Sequence, residues 1–159
     1  VFVADLGKRL PAEELLRAPY AHLALAIFTL SALPPAALPA AFAHLHACLL
    51  PGGRLLLRDY GRLDLKQLKY AQVAGARLPG GHGLEWYSRG DGTTAAFFTR
   101  EAVVALANAA GFVVEDVRYD RRLIVNRAQQ TRMYRVWIVA VLRKESLGEK
   151  RPHIATFVL

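Results

Sequence analysis

Acidic and aromatic side chains stand at the ends of three apolar segments of this 159-residue chain. Asp5 closes the first segment, and Phe28 lies near the end of the second. Asp59 and Tyr60 follow the third. If these segments are the strands of a doubly wound sheet, their carboxyl ends form the edge where such folds bind ligands. We therefore expect these side chains to lie at or near a ligand.

The chain is strongly basic, with 21 Lys and Arg residues against 13 Asp and Glu and a formal net charge of +8. Such an excess favours a polyanionic partner such as nucleic acid. The alternative is a solvated, arginine-rich surface, and charge alone does not decide between the two. The excess is concentrated near the end of the chain, in Arg121, Arg122, Arg127, Arg132, Arg135, Arg143, Lys144, Lys150 and Arg151.

Composition excludes several classes of protein and site. No apolar run reaches the roughly 18–20 residues that a membrane span needs. The single Cys48 excludes an internal disulfide and a multi-cysteine zinc site, and we expect it to be buried and inert. His44 and His46 face different sides of a predicted helix, so no metal site is expected. The first residues lack the basic segment of a signal peptide, which favours an intracellular, cytoplasmic location, with nucleus or mitochondrion as alternatives.

Strand and helix signals alternate over residues 1–60. Apolar runs predict strands over Val1–Asp5, His22–Leu30 and Arg54–Asp59. Helices are predicted from Pro11 and over Ala36–Leu50, the second ended by the Pro-Gly-Gly turn at residues 51–53. Continuous apolar strands imply cover on both faces and hence a parallel sheet. The alternation is typical of an α/β, doubly wound fold.

The second half of the chain has a different pattern. A Gly-Asp-Gly-Thr turn at residues 90–93 predicts a hairpin, and Thr99 is a predicted N-cap. No crossover helix separates the last two apolar runs, so they are expected to pair antiparallel. The predicted elements are a short helix over Asp64–Tyr70, hairpin strands over Trp86–Arg89 and Ala95–Phe98, a helix from Thr99 to Ala110, and strands over Phe112–Arg118 and Met133–Val141.

Five stretches, taken in order, resemble one known family. The last two contain an Asp-Arg-Arg-Leu and a Tyr-Arg-Val-Trp sequence. Together the stretches resemble the methyltransferase-like enzymes that form 3-methylcytidine in RNA, chiefly in the anticodon loop of tRNA, and are most similar to their tRNA threonine and arginine branch. The stretches are Ile27–Pro34, Leu57–Arg62, Tyr87–Thr93, Asp120–Arg127 and Met133–Ile138.

The resemblance covers about residues 1–144, with an insert at about residues 61–98, and leaves a tail at residues 145–159 outside it. It implies a class I, Rossmann-like sheet with S-adenosylmethionine (SAM) as cofactor. The family's glycine-rich cofactor turn has no counterpart, because no Gly-x-Gly-x-Gly sequence precedes a helix here. We therefore expect the N-terminally truncated, C-terminal part of such an enzyme. Thr94 and Ala96 stand where the family usually carries Arg and Tyr.

For the cofactor, the resemblance implies contacts to the adenine side. Asp5 would accept a hydrogen bond from the exocyclic amine, Leu6 would flank the ring, and Ile27 would close the adenine or ribose pocket. The alternatives are a helix-capping aspartate for Asp5 and plain core packing for Ile27.

For the base, the implied reaction sets the requirements. Neutral cytosine already carries a lone pair on N3, so attack on the sulfonium methyl needs no prior deprotonation, but positive charge develops on the ring. A carboxylate on the N4 amine would hold the base and offset that charge, and Asp59 is the candidate. Phe28 and Tyr60 are candidates to hold the flipped base between aromatic faces. The alternatives are core packing for Phe28, and a salt bridge with Arg58 or a cap for Asp59.

For the RNA, several arginines are candidate phosphate contacts, because the planar guanidinium suits phosphate. The implied partners are tRNA and a protein such as an aminoacyl-tRNA synthetase. Two other functions stay open: methylation of a small molecule or protein on the same fold, and a non-catalytic fragment that binds RNA or a partner. The candidate arginines are Arg89, Arg121, Arg122, Arg127 and Arg135.

Overall fold

A computed structural model describes residues 5, 6, 8, 21–127 and 130–146 of the chain. The predicted strand over residues 1–4 and the predicted helix from Pro11 lie outside the described residues.

Two short 3-10 turns, Leu30–Ala32 and Pro35–Ala37, follow the first strand. The elements are β1 (Ala21–Ile27), α1 (Leu38–Cys48), β2 (Leu49–Tyr60), α2 (Leu65–Ala71), β3 (Arg77–Leu78), β4 (Glu85–Ser88), β5 (Thr94–Phe97), α3 (Arg100–Ala109), β6 (Phe112–Asn126) and β7 (Thr131–Lys144).

The main sheet has the strand order β1-β2-β7-β6. β1 and β2 are parallel and joined through α1, whereas β7 pairs antiparallel with both β2 and β6. The predicted strand–helix–strand order over residues 21–60 and the predicted antiparallel end are therefore confirmed. Because β1 and β2 run in the same direction, Ile27 and Tyr60 both end at one edge of the sheet.

One face of this sheet is covered by α1 and α3. Its core contains Leu55 and Leu57 of β2, Ile138 of β7, Phe42 of α1 and Val103 of α3, all buried. Alternation along β1 sends Ala26 to this face and Ile27 to the other. The prediction that β1 is covered on both faces is wrong for the described residues, because its large apolar side chains, Leu23, Leu25 and Ile27, are exposed.

The Pro-Gly-Gly sequence lies inside β2 rather than before it. Leu49 already pairs with Ala21, and the next pair is Leu23 with Arg54, so residues 50–53 bulge out of the ladder. Gly52 takes a φ of 79° there, a backbone conformation that suits glycine. The helix before it ends at Cys48, which is half-buried rather than fully buried.

A second, three-stranded sheet has the order β3-β4-β5 and includes the predicted hairpin. Trp86 and Ala96 point into the main core, while Tyr87 and Phe97 form a second buried cluster with Tyr60 packed against it. Arg62 donates its N–H to the carbonyl of Phe98 at 3.0 Å, which ties the end of β2 to the hairpin. The insert is thus attached beside the carboxyl end of β2.

β6 and β7 extend well beyond the predicted strands. Their antiparallel register continues without a break from Asp116 paired with Val141 to Asn126 paired with Thr131. The outer part of this ribbon, residues 121–136, is called the β6–β7 arm below. On β6 the predicted strand stopped at Arg118 because three charged residues, Asp120, Arg121 and Arg122, separate it from the exposed apolar residues 123–125.

No helix within the described residues is long and apolar enough to cross a membrane. Clusters of three or more His, Cys, Asp and Glu residues that could hold a metal ion are likewise absent from this part of the chain.

The N-cap of α3 gives a direct test of this fold. Thr99 accepts the N–H of Ala102 at 3.1 Å, as the sequence predicted. We expect Thr99→Ala to lower the free energy of unfolding by about 1 kcal/mol, because one helix-end donor loses its acceptor. Chemical denaturation of the 159-residue chain measures this. Thr99→Ser keeps the acceptor and should match the parent, and equal stability of the Ala variant would contradict the cap.

Candidate active site

Three aromatic rings meet at the carboxyl ends of β1 and β2. Phe28 lies 5.3 Å from Tyr60 and 6.1 Å from Trp137 between ring centroids. Tyr60 and Trp137 are cross-strand partners, so their side chains share one face of the sheet. These residues, Phe28, Tyr60 and Trp137, form what is called the aromatic cluster below. Phe28 is 40% exposed, so the cluster is open to a ligand.

The sequence predicted Phe28 and Tyr60 together but missed Trp137. The Tyr-Arg-Val-Trp sequence contributes only to the family resemblance, and nothing local places Trp137 beside Tyr60. The register between β2 and β7 does so, although the two positions are far apart in the chain.

Phe28 has an unusual backbone conformation. Its φ is 50°, in the left-handed region that bulky residues rarely adopt. Its N–H is donated to the carbonyl of Arg58 at 2.8 Å, which holds it against the end of β2. Such backbone strain persists where contacts with the surrounding structure hold the residue in place, which is common at ligand sites. Here the conformation turns the Phe28 ring toward Tyr60.

Two arginines flank the aromatic cluster. The Cζ atom of Arg58 lies 4.2 Å from the Trp137 ring centroid, and its Nη2 pairs with Asp120 at 3.1 Å. The Cζ atom of Arg135 lies 5.8 Å from Tyr60 and 5.6 Å from Trp137. Both guanidinium groups therefore pack against aromatic rings of the cluster.

Asp59 lies on the opposite face of β2 from the aromatic cluster. It pairs in register with Ile138 and is 0% exposed. Its Oδ2 accepts the N–H of Ser31 at 3.0 Å, and its Oδ1 accepts the N–H of Tyr60 at 2.8 Å. Burial raises the pKa of this carboxyl, and hydrogen bonds from Ser31 and Tyr60 oppose the rise. Of the alternatives predicted for Asp59, the capping role matches this geometry, because Arg58 pairs with Asp120 instead.

The structure therefore does not place Asp59 in one pocket with Phe28 and Tyr60. A direct contact between this carboxylate and the N4 amine of a base stays a prediction, and it requires the Ser31 turn to move away. In the described conformation Asp59 joins the backbone after Phe28 to the backbone of Tyr60.

The two hairpin residues that differ from the family pattern, Thr94 and Ala96, have a structural role. Thr94 donates its hydroxyl to the carbonyl of Ala32 at 3.3 Å, and Ala96 is fully buried. β5 thus packs against the turn that follows Phe28. The hairpin supports this turn with small side chains.

The predicted cofactor residues have different surroundings. Ile27 is exposed at the end of β1, next to Phe28. Leu6 packs against the main core. The Asp5 carboxylate is largely exposed and lies 3.4 Å from Lys8 Nζ. The exposed Ile27 side chain and the exposed Asp5 carboxylate are chemically suited to an adenine ring, and their role as cofactor contacts stays a prediction.

The candidate RNA-binding arginines do not form one cluster. Arg89 pairs with Asp91 of its own turn at 3.4 Å. Adjacent residues of a strand face opposite sides, which separates Arg121 from Arg122 on the arm. Arg121 lies over the Tyr119 ring at 5.1 Å, whereas Arg122 Nε donates to Asp120 at 3.0 Å. Arg127 is exposed in the turn at the tip of the arm, and Arg135 alone reaches the aromatic cluster.

Comparisons with known proteins give relatives over most of the chain. No family model matches the chain. The human tRNA N(3)-cytidine methyltransferase METTL2B is 46% identical over 112 residues, which are 70% of this chain and 28% of that protein. The mouse METTL2 enzyme of the same name is 46% identical over 128 residues, 80% of this chain and 31% of that protein. The tRNA(Thr) (cytosine(32)-N(3))-methyltransferase of Saccharomyces cerevisiae is 40% identical over 75% of this chain and 18% of its own length.

Solved structures show the same fold at low identity. A SAM-dependent methyltransferase from Methanosarcina mazei has a TM-score of 0.55 at 17% identity, covering 79% of this chain and 59% of that one. The 1,6-didemethyltoxoflavin-N1-methyltransferase of Burkholderia thailandensis, solved with S-adenosylhomocysteine, has a TM-score of 0.51 at 22% identity, covering 79% of this chain and 44% of that one.

The sequence match thus spans about three tenths of the length of the human and mouse relatives. Over that span the identity is far above the level at which only a fold is shared. The resemblance drawn from the sequence is confirmed: the chain is homologous to part of the tRNA N(3)-cytidine methyltransferases and has the class I SAM-dependent methyltransferase fold.

Proposed function

We propose that this chain forms the substrate side of a SAM-dependent tRNA methyltransferase that makes 3-methylcytidine in the anticodon loop. The observation that carries the proposal is the open aromatic cluster at the carboxyl ends of β1 and β2. Ligands of doubly wound sheets bind at this edge. The names of the human, mouse and yeast relatives supply the substrate.

The aromatic cluster suits an unpaired cytosine. N3 lies on the pairing edge, so the base has to leave its stack before the reaction, and aromatic faces then hold it. Phe28 is exposed and Tyr60 and Trp137 are half-buried, so the rings can contact a base without losing their support. Electron-rich ring faces also attract the positive charge that develops on the methylated base.

When bound, SAM supplies the electrophilic methyl group. Asp5, Leu6 and Ile27 would hold its adenine side, with the exposed Ile27 side chain next to the aromatic cluster. Phe28 and Tyr60 would orient the base, so that the lone pair on N3 points at the methyl carbon. No side chain is needed to remove a proton from cytosine before the attack.

Asp59 is proposed to act by positioning. Its two oxygens hold the backbone N–H groups of Ser31 and Tyr60, and so fix the segments that carry the Phe28 and Tyr60 rings. The direct contact to the N4 amine is the alternative, and the two roles differ in what a Ser31 variant does.

The β6–β7 arm and its arginines are proposed to bind the RNA backbone. Arg121, Arg122 and Arg127 are exposed on the arm, and Tyr134 is 65% exposed there. Arg89 is a further proposed contact. Phosphate contacts position the RNA without reading its sequence. Residues 1–144 would form the methyltransferase segment, and the protein would act inside the cell. An aminoacyl-tRNA synthetase as protein partner stays a prediction.

A non-catalytic RNA-binding role is the second candidate. One observation favours it: the exposed arginines of the β6–β7 arm could contact RNA without any bound cofactor. Methylation of a small molecule or protein is less favoured, because the basic arm has no use there.

The first prediction concerns SAM. We expect the 159-residue chain to bind SAM weakly or not at all in calorimetric titration, because Asp5, Leu6 and Ile27 reach only the adenine side. Adenosine competing with the residual binding would support this assignment. Micromolar SAM affinity would contradict it and would require an unrecognised site for the methionine end.

The second prediction concerns RNA. The dissociation constant for a tRNA anticodon hairpin, measured over a series of salt concentrations, should give a slope of about −0.7 per phosphate contact in a log–log plot. Replacing Arg121 and Arg122 together by Gln should reduce the magnitude of this slope. Arg54→Gln is the matched control, because Arg54 pairs with Glu115 at 2.7 Å near the other end of β2. An unchanged slope in the double variant would mean that these arginines face solvent.

The third prediction concerns Asp59. In a protein that joins this chain to a glycine-rich cofactor turn, we expect Asp59→Asn to lower the single-turnover rate of methyl transfer by roughly 10²-fold, because loosened segments would misplace the base relative to the methyl group. The affinity for tRNA should barely change, because phosphate contacts carry most of it.

Ser31→Ala separates the two roles of Asp59. It removes the hydroxyl that bonds the carboxylate but leaves the charge in place. The backbone N–H of Ser31 still bonds the carboxylate in this variant, so a positioning role predicts a modestly slower reaction from the loss of the hydroxyl bond alone. A direct contact with the N4 amine predicts an equal or faster one. Parental rates in both variants would mean that Asp59 serves stability alone.

A further inference from the structure

Asp64 is a buried carboxylate that the proposed chemistry does not use. It is 0% exposed and lies between β2 and α2. Oδ1 accepts the N–H of Lys66 at 2.8 Å and so caps α2. Oδ2 accepts both Nε–H of Arg135 and the N–H of Val136, each at 2.8 Å. One carboxylate therefore joins the start of α2 to β7.

The backbone brings Asp64 close to β7 through Gly61. The N–H of Gly61 is donated to the carbonyl of Val136 at 2.9 Å. A Cβ atom at Gly61 would lie 3.1 Å from the backbone of Trp137, so a larger residue would push the loop away from the strand. The absence of a side chain at this position lets the loop approach closely enough for Asp64 to reach Arg135.

The bond to Asp64 fixes the guanidinium of Arg135 beside the aromatic cluster. The Arg135 side chain is 15% exposed, and its Cζ atom lies within 6 Å of the Tyr60 and Trp137 centroids, at 5.8 and 5.6 Å. Because Nε donates to Asp64, the two Nη groups are the donors that can serve a ligand. The described part of the chain gives these Nη groups no hydrogen bond.

Phosphate is the ligand that suits these two donors. The planar guanidinium fork matches two oxygens of one phosphate. A contact with the cytosine ring is disfavoured, because the ring becomes positive on methylation and a neighbouring cation would raise the energy of that state. The backbone phosphate of the same nucleotide carries a negative charge and lies outside the base-binding space.

We propose that Asp64 is a positioning residue that holds Arg135 for the phosphate of the nucleotide whose base enters the aromatic cluster. The inference rests on the proposed RNA substrate. Arg135 is hydrogen-bonded to a carboxylate, whereas no described carboxylate accepts a hydrogen bond from Arg121 or Arg127. A guanidinium already fixed by Asp64 loses little side-chain entropy when it binds phosphate.

A double-mutant cycle tests the proposal on the 159-residue chain. The variants are Asp64→Ser, which can still cap α2, Arg135→Gln, and the two together. The measured quantity is the dissociation constant for a short RNA hairpin with an unpaired cytosine in its loop, over a series of salt concentrations. Arg135→Gln should reduce the magnitude of the log–log salt slope by about 0.7, the loss of one contact. Asp64→Ser should weaken binding in the parent and have no effect on the Arg135→Gln background.

Two controls keep the cycle decisive. Glu115→Gln also removes an arginine-paired carboxylate, one that binds Arg54 and Arg143 away from the cluster, so it reports the effect of net charge alone. Arg135→Lys leaves Asp64 untouched but cannot be held through Nε, and should weaken binding as Asp64→Ser does.

Three results would overturn the proposal. Equal effects of Asp64→Ser in the two backgrounds would give Asp64 a purely structural role. Parental affinity of Arg135→Lys would show that the held fork is not needed. No RNA binding by the parent chain would overturn the proposed function as well, whereas the first two results leave that function standing.

Discussion

The Asp59 carboxylate is the interaction on which the candidate site depends. Removing an ionised carboxyl from water is costly, and only hydrogen bonds or a counter-charge can offset that cost. Here the donors are the backbone N–H groups of Ser31 and Tyr60, at 3.0 and 2.8 Å. These donors belong to two separate segments, one after β1 and one at the end of β2. The charge is therefore satisfied only while Phe28 and Tyr60 keep their relative positions.

This arrangement explains why the aromatic cluster sits on one face of the sheet and its support on the other. Side chains alternate along β2, so Tyr60 faces the proposed base-binding side while Asp59 faces the core. The buried face supplies rigidity through α1, α3 and the hairpin. The open face supplies the contacts. A site built across a strand in this way does not need its binding residues to be well packed themselves.

Much of the fold could be predicted from local sequence patterns. Apolar runs and breakers located β1, α1 and β2, and Thr99 located the start of α3. The same patterns brought Phe28 and Tyr60 together, because both end parallel strands. They could not give the contacts made by Trp137 and Arg135, which depend on the register of β7 against β2 and on the Asp64 bond. The face that Asp59 takes follows from alternation with the buried Leu55 and Leu57, but the expectation of cover on both faces of the strand hid this distinction.

The net positive charge likewise overstates how many arginines are available to a ligand. Arg54 and Arg143 share Glu115, and Arg58 pairs with Asp120, so several cations are already neutralised within the fold. What distinguishes one arginine from another is the carboxylate beside it, which net charge does not record.

The left-handed backbone of Phe28 has a consequence for how this chain can vary. Glycine would relieve the strain at φ 50° and so could raise stability, but it would remove the ring that faces Tyr60. Stability and substrate contact therefore pull in opposite directions at one position. Selection for stability alone, in nature or in the laboratory, would tend to remove the aromatic residue on which the proposed site relies.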